Sequence, residues 1–578
     1  MDRTVVKIAG ESGMGLLSVG QIISNALKDL GYYVVSDREF PSLIKGGYSN
    51  VQIDFSTKEI RSLSEKVDIC VALDRHGLVE YIDDIKKGGI LIHGYEKHQM
   101  VPELAKKCKA RGVKIYYLPA REIAYSLGGS SLMVNMVLMG LLWKMLGFDL
   151  KEVEDDVRKK FKSKPKLLAI DLKCIRYGFN PKKHLKDIPV MKLKKNSTKL
   201  KKILIDGSKA ISLGAIQAGM RAYYAYPMSP SSGILTYIAN TSHETGVIVK
   251  QAEDEITAAQ LVMGSMHVGC RAMTATSGGG FDLMTETVSC AGVTETPLVI
   301  IVGQRPGPGT GLPTWTCQGD LDLVINSGHG EFPRIVLACS DPESSYELIQ
   351  HAFNWSEEYQ TPTMVLSSKH VYDCHQTVDL FKHKKIPIKR GLITNKSELA
   401  KLTPADRFKI TKSGVSPRWV PGASKAHYHA NSDEHEPDGT LTEEIKPVLE
   451  MIHKRHVRKA ETIKKNLPAP RVFGVKKGAD ISFIGWGSSI NAMRDAIKAS
   501  KKKVNYMHFD FVWPINKTAA LKFFKENKNV HLIEGNLHGQ LGRLIEAETG
   551  KKFKSKFLRY DGRPFYFEDV MNYIDKQR

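Results

Sequence analysis

Cysteine is scarce and scattered in this sequence of 578 residues. The eight cysteines lie far apart and form no C-x-x-C pair, so no run of four suits an iron–sulfur cluster. The first residues also lack the basic-then-apolar pattern of a signal peptide, and no stretch of about 18 apolar residues offers a membrane span. We therefore expect a reduced, cytoplasmic protein without a membrane segment.

Acidic residues are outnumbered, with 62 Asp and Glu against 84 Lys and Arg, which gives a net charge of +22. A nucleic-acid surface would need basic residues clustered with aromatic ones, whereas the lysines here are spread along the whole chain. An acidic protein partner is compatible with such a charge, and a solvated lysine-rich exterior is the simplest interpretation. We do not expect nucleic acid as a partner.

Strand-like apolar segments alternate with helical ones, which predicts α/β domains with open sheets. A Lys-rich stretch with little periodicity indicates a linker at residues 186–202. The predicted α/β domains are residues 1–185, 203–373 and 471–578, and residues 374–470 form a connecting segment that contains a charged helix at about 443–464. The predicted strands are 4–9, 32–36, 68–73, 89–92, 114–118, 271–276, 298–302, 363–366, 480–484 and 530–534.

Two glycine loops lie near the start of the chain. Gly10-x-x-Gly13-x-Gly15 falls between a predicted strand and a predicted helix. Glycines allow the backbone to approach a phosphate, and the start of a helix favours negative charge. The spacing differs from the dinucleotide-binding G-x-G-x-x-G, so a tight turn explains it equally well. Lys45-Gly46-Gly47 is a second glycine loop that could face the first.

Two polar segments follow in the predicted second domain. Tyr226-Pro-Met-Ser-Pro-Ser-Ser232 combines two prolines with three hydroxyls in one loop, although ordinary loops contain these residues too. Glu253-Asp-Glu255 precedes a helix of small residues at 256–269. Acidic groups at a helix start favour the helix dipole, so capping is one interpretation. A buried glutamate that shares a proton with a ring nitrogen is the other.

Two glycine-rich loops follow neighbouring predicted strands. Thr274-Ala-Thr-Ser-Gly-Gly-Gly280 ends one strand, and Arg305-Pro-Gly-Pro-Gly-Thr-Gly311 follows the next. The carboxyl edge of an α/β sheet is where such folds bind ligands. Arg305 could form a bidentate clamp on a carboxylate, or it could simply be exposed in a turn. Two loops at one edge favour the functional interpretation.

These motifs together resemble a known family. Tyr226-Pro-Met-Ser-Pro-Ser-Ser232 resembles Tyr-Pro-Ile-Thr-Pro-Ser-Ser, a signature of the 2-oxoacid:ferredoxin oxidoreductases. Residues 1–180 resemble the γ subunit of that family, and the rest resembles its α subunit of the 2-oxoglutarate type. The other matching motifs are Ala272–Glu286, Gln304–Thr314, Gln318-Gly-Asp320, Gly328–Arg334, Gly414–Arg418, Pro421-Gly422, Asp433–His435, Gly485–Ser488, Glu534–Asn536, Gly539-Gln540 and Asp561–Phe565.

The resemblance implies a fold and a reaction. Residues 203–373 would form a thiamine-diphosphate-binding domain of the pyrimidine type, and residues 471–578 a domain like the C-terminal domain of transketolase. In this family thiamine diphosphate activates a 2-oxoacid, carbon dioxide leaves, electrons pass singly to iron–sulfur centres, and coenzyme A takes the acyl group. Ferredoxin is the expected electron acceptor.

The resemblance also assigns roles to individual residues. Glu255 matches the glutamate that bonds the aminopyrimidine nitrogen of the cofactor, and Arg305 matches the arginine that holds the substrate carboxylate. Ser229 stands where the family has threonine, so it keeps a hydroxyl for the substrate but loses a methyl group. The residues expected beside the cofactor, in addition to Glu255, are Tyr226, Pro227, Ser277 and Gly278.

The sequence lacks a Gly-Asp-Gly motif for pyrophosphate and Mg²⁺, as well as cluster cysteines. In the family both belong to a separate β subunit, so the resemblance implies a partner that supplies the Mg²⁺ site and the iron–sulfur cluster, in an αβ or (αβ)2 complex. The expected substrate is 2-oxoglutarate, with pyruvate or branched-chain 2-oxoacids as alternatives. A non-catalytic assembly subunit is a further alternative, because Ser229 replaces threonine and Ser12 and Met14 depart from the γ-subunit loop.

Overall fold

The computed structural model describes residues 3–42, 47–95, 102–194, 196, 200–383 and 385–577. Within these residues the helices are combined with three β-sheets, and the predicted α/β class is confirmed. None of the helices in these residues is both long and apolar enough to cross a membrane. The described chain divides into two compact units, which do not follow the predicted domain boundaries one for one. Those boundaries stay predictions.

The first unit contains Met1–Ile205, Asp373–Leu380 and Phe565–Asn572. Its described residues form an eight-stranded mixed sheet in the order β6-β5-β4-β1-β3-β2-β14-β7. The strands are β1 (Thr4–Glu11), β2 (Tyr33–Glu39), β3 (Tyr48–Ser56), β4 (Val67–Ala72), β5 (Ile85–His93), β6 (Lys114–Tyr117), β7 (Lys202–Ile205) and β14 (His375–Asp379). The helices between Thr4 and Ile205 are α1 (Leu16–Asp29), α2 (Arg75–Glu80), α3 (Pro102–Ala110), α4 (Ala120–Ser126), α5 (Val134–Leu146), α6 (Leu150–Lys160) and α7 (Pro165–Phe179).

Helices α1 and α5 show how the apolar pattern builds the core of this unit. In α1 the buried apolar residues recur every three or four positions, which is the pattern of a helix with one face in the core. Helix α5 is apolar on all sides, and almost every residue in it is buried. It packs against α7, where Gly178 lies so close to Val137 that a Cβ at this glycine would be 1.8 Å from the Val137 carbonyl oxygen.

The second unit contains Asp206–Tyr372, Phe381–Pro564 and Tyr573–Arg578. Its described residues form a seven-stranded sheet in the order β18-β12-β13-β11-β10-β8-β9 and a five-stranded sheet in the order β15-β17-β16-β19-β20. The seven-stranded sheet consists of β8 (Ala222–Ala225), β9 (Ile248–Gln251), β10 (Ala272–Ser277), β11 (Leu298–Gln304), β12 (Ile335–Ala338), β13 (Pro362–Ser368) and β18 (Phe511–Trp513). The five-stranded sheet consists of β15 (Arg471–Gly474), β16 (Ile481–Trp486), β17 (Val504–Phe509), β19 (Val530–Glu534) and β20 (Ser555–Leu558).

The remaining helices follow in chain order. Up to residue 373 they are α8 (Gly207–Gln217), α9 (Ser232–Thr245), α10 (Glu255–His267), α11 (Gly278–Asp282), α12 (Thr285–Val293), α13 (Leu321–Asn326), α14 (Pro342–Tyr359) and α15 (Lys369–Asp373). After it they are α16 (Lys396–Leu399), α17 (Ile445–Ile452), α18 (Ala460–Asn466), α19 (Ser489–Ala499), α20 (Lys517–Glu526), α21 (Gln540–Thr549) and α22 (Phe567–Lys576).

The centre of the seven-stranded sheet is parallel. Strand β10 pairs in parallel with β8 on one side and β11 on the other, and β11 pairs in parallel with β13. These central strands are continuous apolar or small-residue runs, and β10, β11 and β13 are buried along their whole length, as expected for a parallel sheet covered on both faces. The carboxyl ends of β8, β10 and β11 therefore lie at the same edge.

Two buried carboxylates attach the connecting segment to this sheet domain. Glu357, which is 0% exposed on α14, accepts from Arg271 Nε at 2.6 Å and from Arg390 Nε at 2.8 Å, and its Oε1 lies 3.3 Å from Arg418 Nη1. Arg390 and Arg418 belong to the connecting segment. Burial lowers the pKa of Arg271, whereas Glu357 raises it.

The second of these carboxylates is Glu295, which meets the predicted charged helix. The helix extends over residues 445–466, and its middle, His453–Lys459, has π-helical hydrogen bonding. In that geometry Lys454 and Lys459, five residues apart, both direct their Nζ atoms to Glu295, at 2.5 Å each. Burial lowers the pKa of Lys454 to about 7.

We predict that Glu357→Ala destabilises the protein strongly, because it leaves the charges of Arg271 and Arg418 buried without a counter-ion. The expected loss in the free energy of unfolding is about 3–5 kcal/mol, measured by denaturant titration. The matched control is Glu358→Ala. That neighbour is partly exposed and lies 3.6 Å from an exposed Lys389, so its loss should be below about 1 kcal/mol. Equal effects of the two changes would contradict the role given to Glu357.

Candidate functional site

Three loops converge at the carboxyl edge of the parallel strands. They follow β8, β10 and β11 and begin at Tyr226, Gly278 and Arg305. Arg305 Nη1 donates a hydrogen bond to the carbonyl oxygen of Ser229, at 2.9 Å. This bond joins the loop after β11 to the loop after β8. The structure therefore brings together the two segments that the sequence indicated as separate motifs.

The loop after β8 exposes several side chains to solvent and is held to the sheet by hydrogen bonds of Ser231. Tyr226 is 40% exposed, and Pro227 and Ser229 are exposed as well. On the inner side, the hydroxyl of Ser231 donates to the carbonyl oxygen of Met228 at 2.7 Å and to that of Ala275 at 3.3 Å. The Ser229 hydroxyl is consequently held at the surface of the site by a loop that is attached to β10.

Ser277 ends β10 and is fully buried. Its hydroxyl donates to the sulfur of Met228 at 2.6 Å. Gly278 follows and opens the short helix α11. A Cβ at Gly278 would lie 2.8 Å from Asp320 Oδ1, so the turn leaves space for that carboxyl. Sequence reasoning noted Asp320 only as part of a matching motif.

Glu255 is buried at the first position of α10, with 3% of its surface exposed. It does not cap the helix, because Asp254 accepts from the backbone N–H of Thr257 at 2.7 Å. Glu253 is exposed. Among the described residues, Glu255 Oε1 has no hydrogen-bond partner although it is buried. A buried carboxylate oxygen without a partner is costly, and in native proteins it indicates a function or a missing partner group.

The glycine turn of α11 is shaped around Glu255. A Cβ at Gly280 would lie 2.0 Å from Thr276 Oγ1 and 2.6 Å from Glu255 Oε1, closer than atoms can approach. Only glycine fits there while Glu255 keeps its position. The carboxyl group of Glu255 and the glycine turn are therefore parts of one arrangement.

Comparison with known proteins agrees with this geometry. Residues 213–454 match the family model described as "Pyruvate flavodoxin/ferredoxin oxidoreductase, thiamine diP-bdg", and residues 5–180 match "Pyruvate ferredoxin/flavodoxin oxidoreductase". The 2-oxoacid:ferredoxin oxidoreductase subunit alpha of a Sulfolobus species is 30% identical, with 97% of this chain and 95% of the relative covered. The chain belongs to this family of α subunits.

Relatives of the 2-oxoglutarate type also align with this α subunit over most of its length. A 2-oxoglutarate oxidoreductase subunit of Mycobacterium tuberculosis is 25% identical over 95% of this chain and 87% of its own. The solved 2-oxoglutarate:ferredoxin oxidoreductase of Magnetococcus marinus has 29% identity and a TM-score of 0.91, and the match covers 100% of this chain and 99% of that one. That structure contains 2-oxoglutarate, coenzyme A and succinyl-CoA. The predicted family and enzyme class are confirmed.

The residues of the α subunit fit the pyrimidine end of thiamine diphosphate. Glu255 Oε1 is buried beside the glycine turn and has no hydrogen-bond partner among the described residues. A ring nitrogen of the cofactor is a suitable partner for a carboxyl group. The Ser277 hydroxyl already donates a hydrogen bond to the sulfur of Met228, so it is less available than expected for a hydrogen bond to the cofactor.

In the parts of the chain that the structure describes, no group of three or more His, Cys, Asp or Glu side chains could hold a metal ion. The eight cysteines are all free, and five of them are buried. Burial raises the pKa of the Cys317 thiol to about 11, which disfavours a thiolate ligand there.

The N-terminal glycine loop of the α subunit is a strand-to-helix turn that requires glycine. Gly13 and Gly15 have φ values of 101° and 75°, and Asn135 Nδ2 donates to the carbonyl oxygen of Met14 at 2.8 Å. Ser12 N donates to the Gly47 carbonyl oxygen at 3.4 Å, so this turn does meet the second glycine loop. Lys45 and Gly46 of that loop lie outside the described residues.

We predict that Gly280→Ala displaces Glu255 or Thr276, because the added Cβ overlaps both side chains. The expected cost is about 1–3 kcal/mol of unfolding free energy, together with a loss of turnover in the assembled complex. The control is Gly279→Ala, where the nearest atom to the added Cβ is the Gly309 carbonyl oxygen at 4.0 Å. Stability and activity should there stay close to those of the parent protein. Wild-type turnover in Gly280→Ala would contradict the coupling between the turn and Glu255.

Proposed function

We propose that this α subunit, with a separate β subunit, catalyses the oxidative decarboxylation of 2-oxoglutarate to succinyl-CoA and carbon dioxide, with ferredoxin as electron acceptor. The observation that carries the proposal is the buried carboxyl of Glu255, whose Oε1 lies beside the glycine turn after β10 and has no partner among the described residues. The 2-oxoglutarate preference is supported by the whole-length similarity to the Magnetococcus marinus enzyme.

Each residue of the site would have a distinct task. Thiamine diphosphate, when bound, supplies the nucleophile and the electron sink for decarboxylation. Glu255 would hold a proton between its Oε1 and the aminopyrimidine ring. Arg305 would bind the carboxylate of the 2-oxoacid, because its hydrogen bond to the Ser229 carbonyl places its guanidinium where the two loops meet, and a guanidinium can bind a carboxylate through two N–H groups. The Ser229 hydroxyl would donate a hydrogen bond to the substrate.

Further residues would shape the site without taking part in proton transfer. Tyr226 and Pro227 would form its outer wall, since both are exposed on the loop that carries Ser229. Ser277 would hold Met228 in place through its hydroxyl, and Gly278 would line the cofactor cleft.

A β subunit would cover this half of the site. Large apolar side chains next to the site loops face solvent: Tyr226 at 40%, Ile256 at 42%, Leu312 at 45% and Leu283 at 51% exposure. Exposed apolar side chains grouped around a site are typical of a protein interface. The β subunit would bring Mg²⁺ and the iron–sulfur cluster, in an αβ or (αβ)2 complex. A net charge of +22 would favour approach of an acidic electron acceptor.

We predict that Glu255→Gln lowers turnover of the reconstituted complex by at least about 100-fold, because general acid–base catalysis contributes roughly 10²–10⁴. Assembly with the β subunit should persist, as measured by size-exclusion chromatography. Glu253→Gln, an exposed carboxyl two residues away, is the matched control and should retain normal turnover. Near-normal activity of Glu255→Gln would remove Glu255 from the mechanism, and inactivity of the wild-type complex would favour an assembly role.

Substrate preference needs its own measurement. We predict that kcat/KM of the reconstituted complex, followed by reduction of ferredoxin, is highest for 2-oxoglutarate, with pyruvate and a branched-chain 2-oxoacid as comparisons. Arg305→Ala should raise KM for every one of these substrates, because all share the 2-oxo carboxylate that it would bind. Equal kcat/KM for pyruvate and 2-oxoglutarate would contradict the proposed specificity but not the reaction.

A further inference from the structure

Helix α17 in the connecting segment carries a row of apolar side chains on its solvent face. Ile445 is 77% exposed, Leu449 61% and Ile452 41%, and their spacing of four and three residues places them on one side of the helix. Leu441, four residues before Ile445, continues the row at 53% exposure. The other side of the helix is buried, as at Met451. We call the four exposed side chains the α17 stripe, and a contiguous apolar surface of this kind is typical of an interface.

The helix that carries the stripe is attached at the amino edge of the seven-stranded sheet. Lys454 and Lys459 bind Glu295, which stands three residues before β11 begins. Lys459 also donates to the carbonyl oxygen of Gln360, two residues before β13 begins, at 3.2 Å. The seven residues of β11 extend over about 20 Å between this edge and Arg305. The stripe is therefore a different surface from the apolar side chains around the site, which the β subunit would cover.

The charges beside the stripe are nearly balanced, unlike those of the whole chain. Acidic side chains in residues 441–458 that are not buried are Glu443, Glu444 and Glu450, and the corresponding basic ones are Lys446 and Arg458. The chain as a whole has a net charge of +22, so most surfaces of two copies repel each other. Around the stripe this repulsion is small, and a second copy of the chain can approach there.

The stripe is complementary to itself in an antiparallel pair of helices. With a two-fold axis near Leu449, Ile445 of one copy faces Ile452 of the other, because the two lie on either side of Leu449 at nearly equal distances along the helix. Lys446 and Glu450 are both exposed on one flank of the stripe, and neither forms an ion pair within the described part of the chain. In the same arrangement Lys446 of each copy lies beside Glu450 of the other, so two opposite-charge pairs form.

We propose that the α17 stripe binds a second copy of the α subunit, so that two αβ pairs associate through it. The β subunit comes from the proposed function, but the contact itself involves only α chains and does not depend on the reaction. The two stripes remove each other's apolar side chains from water. A standard interface has roughly 20–30 residues per side, and the stripe supplies fewer, so the two pairs should separate on dilution.

The first test measures the mass of the reconstituted αβ complex by light scattering after size-exclusion chromatography, over a dilution series. The wild type should have twice the mass of one αβ pair at high concentration. Leu449→Glu places a charge at the centre of the contact and should halve this mass, with kcat unchanged. The control is Ile248→Glu on β9, where an isoleucine outside the stripe is 63% exposed, and it should keep the wild-type mass. A doubled mass that persists in Leu449→Glu would overturn the proposal.

A charge exchange distinguishes a second copy from any other partner. Lys446→Glu or Glu450→Lys alone puts like charges side by side twice, so each should raise the dissociation constant of the two pairs by about tenfold or more. The double variant Lys446→Glu/Glu450→Lys restores both opposite-charge pairs only when the partner is the same chain, and it should recover wild-type association. A double variant as weak as the single ones would contradict the proposal. Loss of the β subunit from Leu449→Glu would assign the stripe to β instead and overturn it. A complex of doubled mass that is inactive on every 2-oxoacid would contradict the proposed function alone.

Discussion

The parallel pairing of β10 with β8 and β11 is the constraint on which the site depends. It places the ends of three strands at one edge, so that the loops after them lie close together although they are far apart in sequence. The contact between Arg305 and the Ser229 carbonyl is possible only because both loops leave the sheet at that edge. A slip of one residue in either pairing would shift one loop along the edge of the sheet and separate them.

The connecting segment is attached by charge rather than by strands. Glu357 pairs with three arginines and Glu295 with two lysines, and both carboxylates are fully buried. Such groups add stability only as complete sets, since a single missing partner leaves a buried charge. They do fix the path of a segment with little regular structure. The π-helical stretch at Glu295 illustrates this, because an ordinary α-helix places residues five apart on different faces.

Much of this fold could be predicted from periodicity, but only where a helix or strand is apolar enough to be recognised from its own residues. Strands such as β1, β11 and β16 were found because their runs are buried and continuous. Strand β14 was missed, since His375–Asp379 looks polar and pairs with β2 and β7 from distant parts of the chain. At the site, the resemblance of the motifs to the family indicated Glu255 and Arg305. It could not indicate that Ser277 contacts Met228 or that Oδ2 of the half-buried Asp320 is shielded from solvent, because both depend on tertiary contacts.

The unpartnered carboxyls of Glu255 and Asp320 explain why the glycine turn is built as it is. Each carboxyl group would be more stable with a hydrogen-bond donor beside it. Residues with a side chain at these positions of the turn would exclude the two carboxyl groups by steric overlap. Gly278 and Gly280 instead let both carboxyls approach the backbone, and one oxygen of each has no partner among the described residues. The folded chain thereby carries a local cost at this turn. Local instability concentrated at a ligand site, within a firmly packed sheet domain, is the expected distribution for an enzyme.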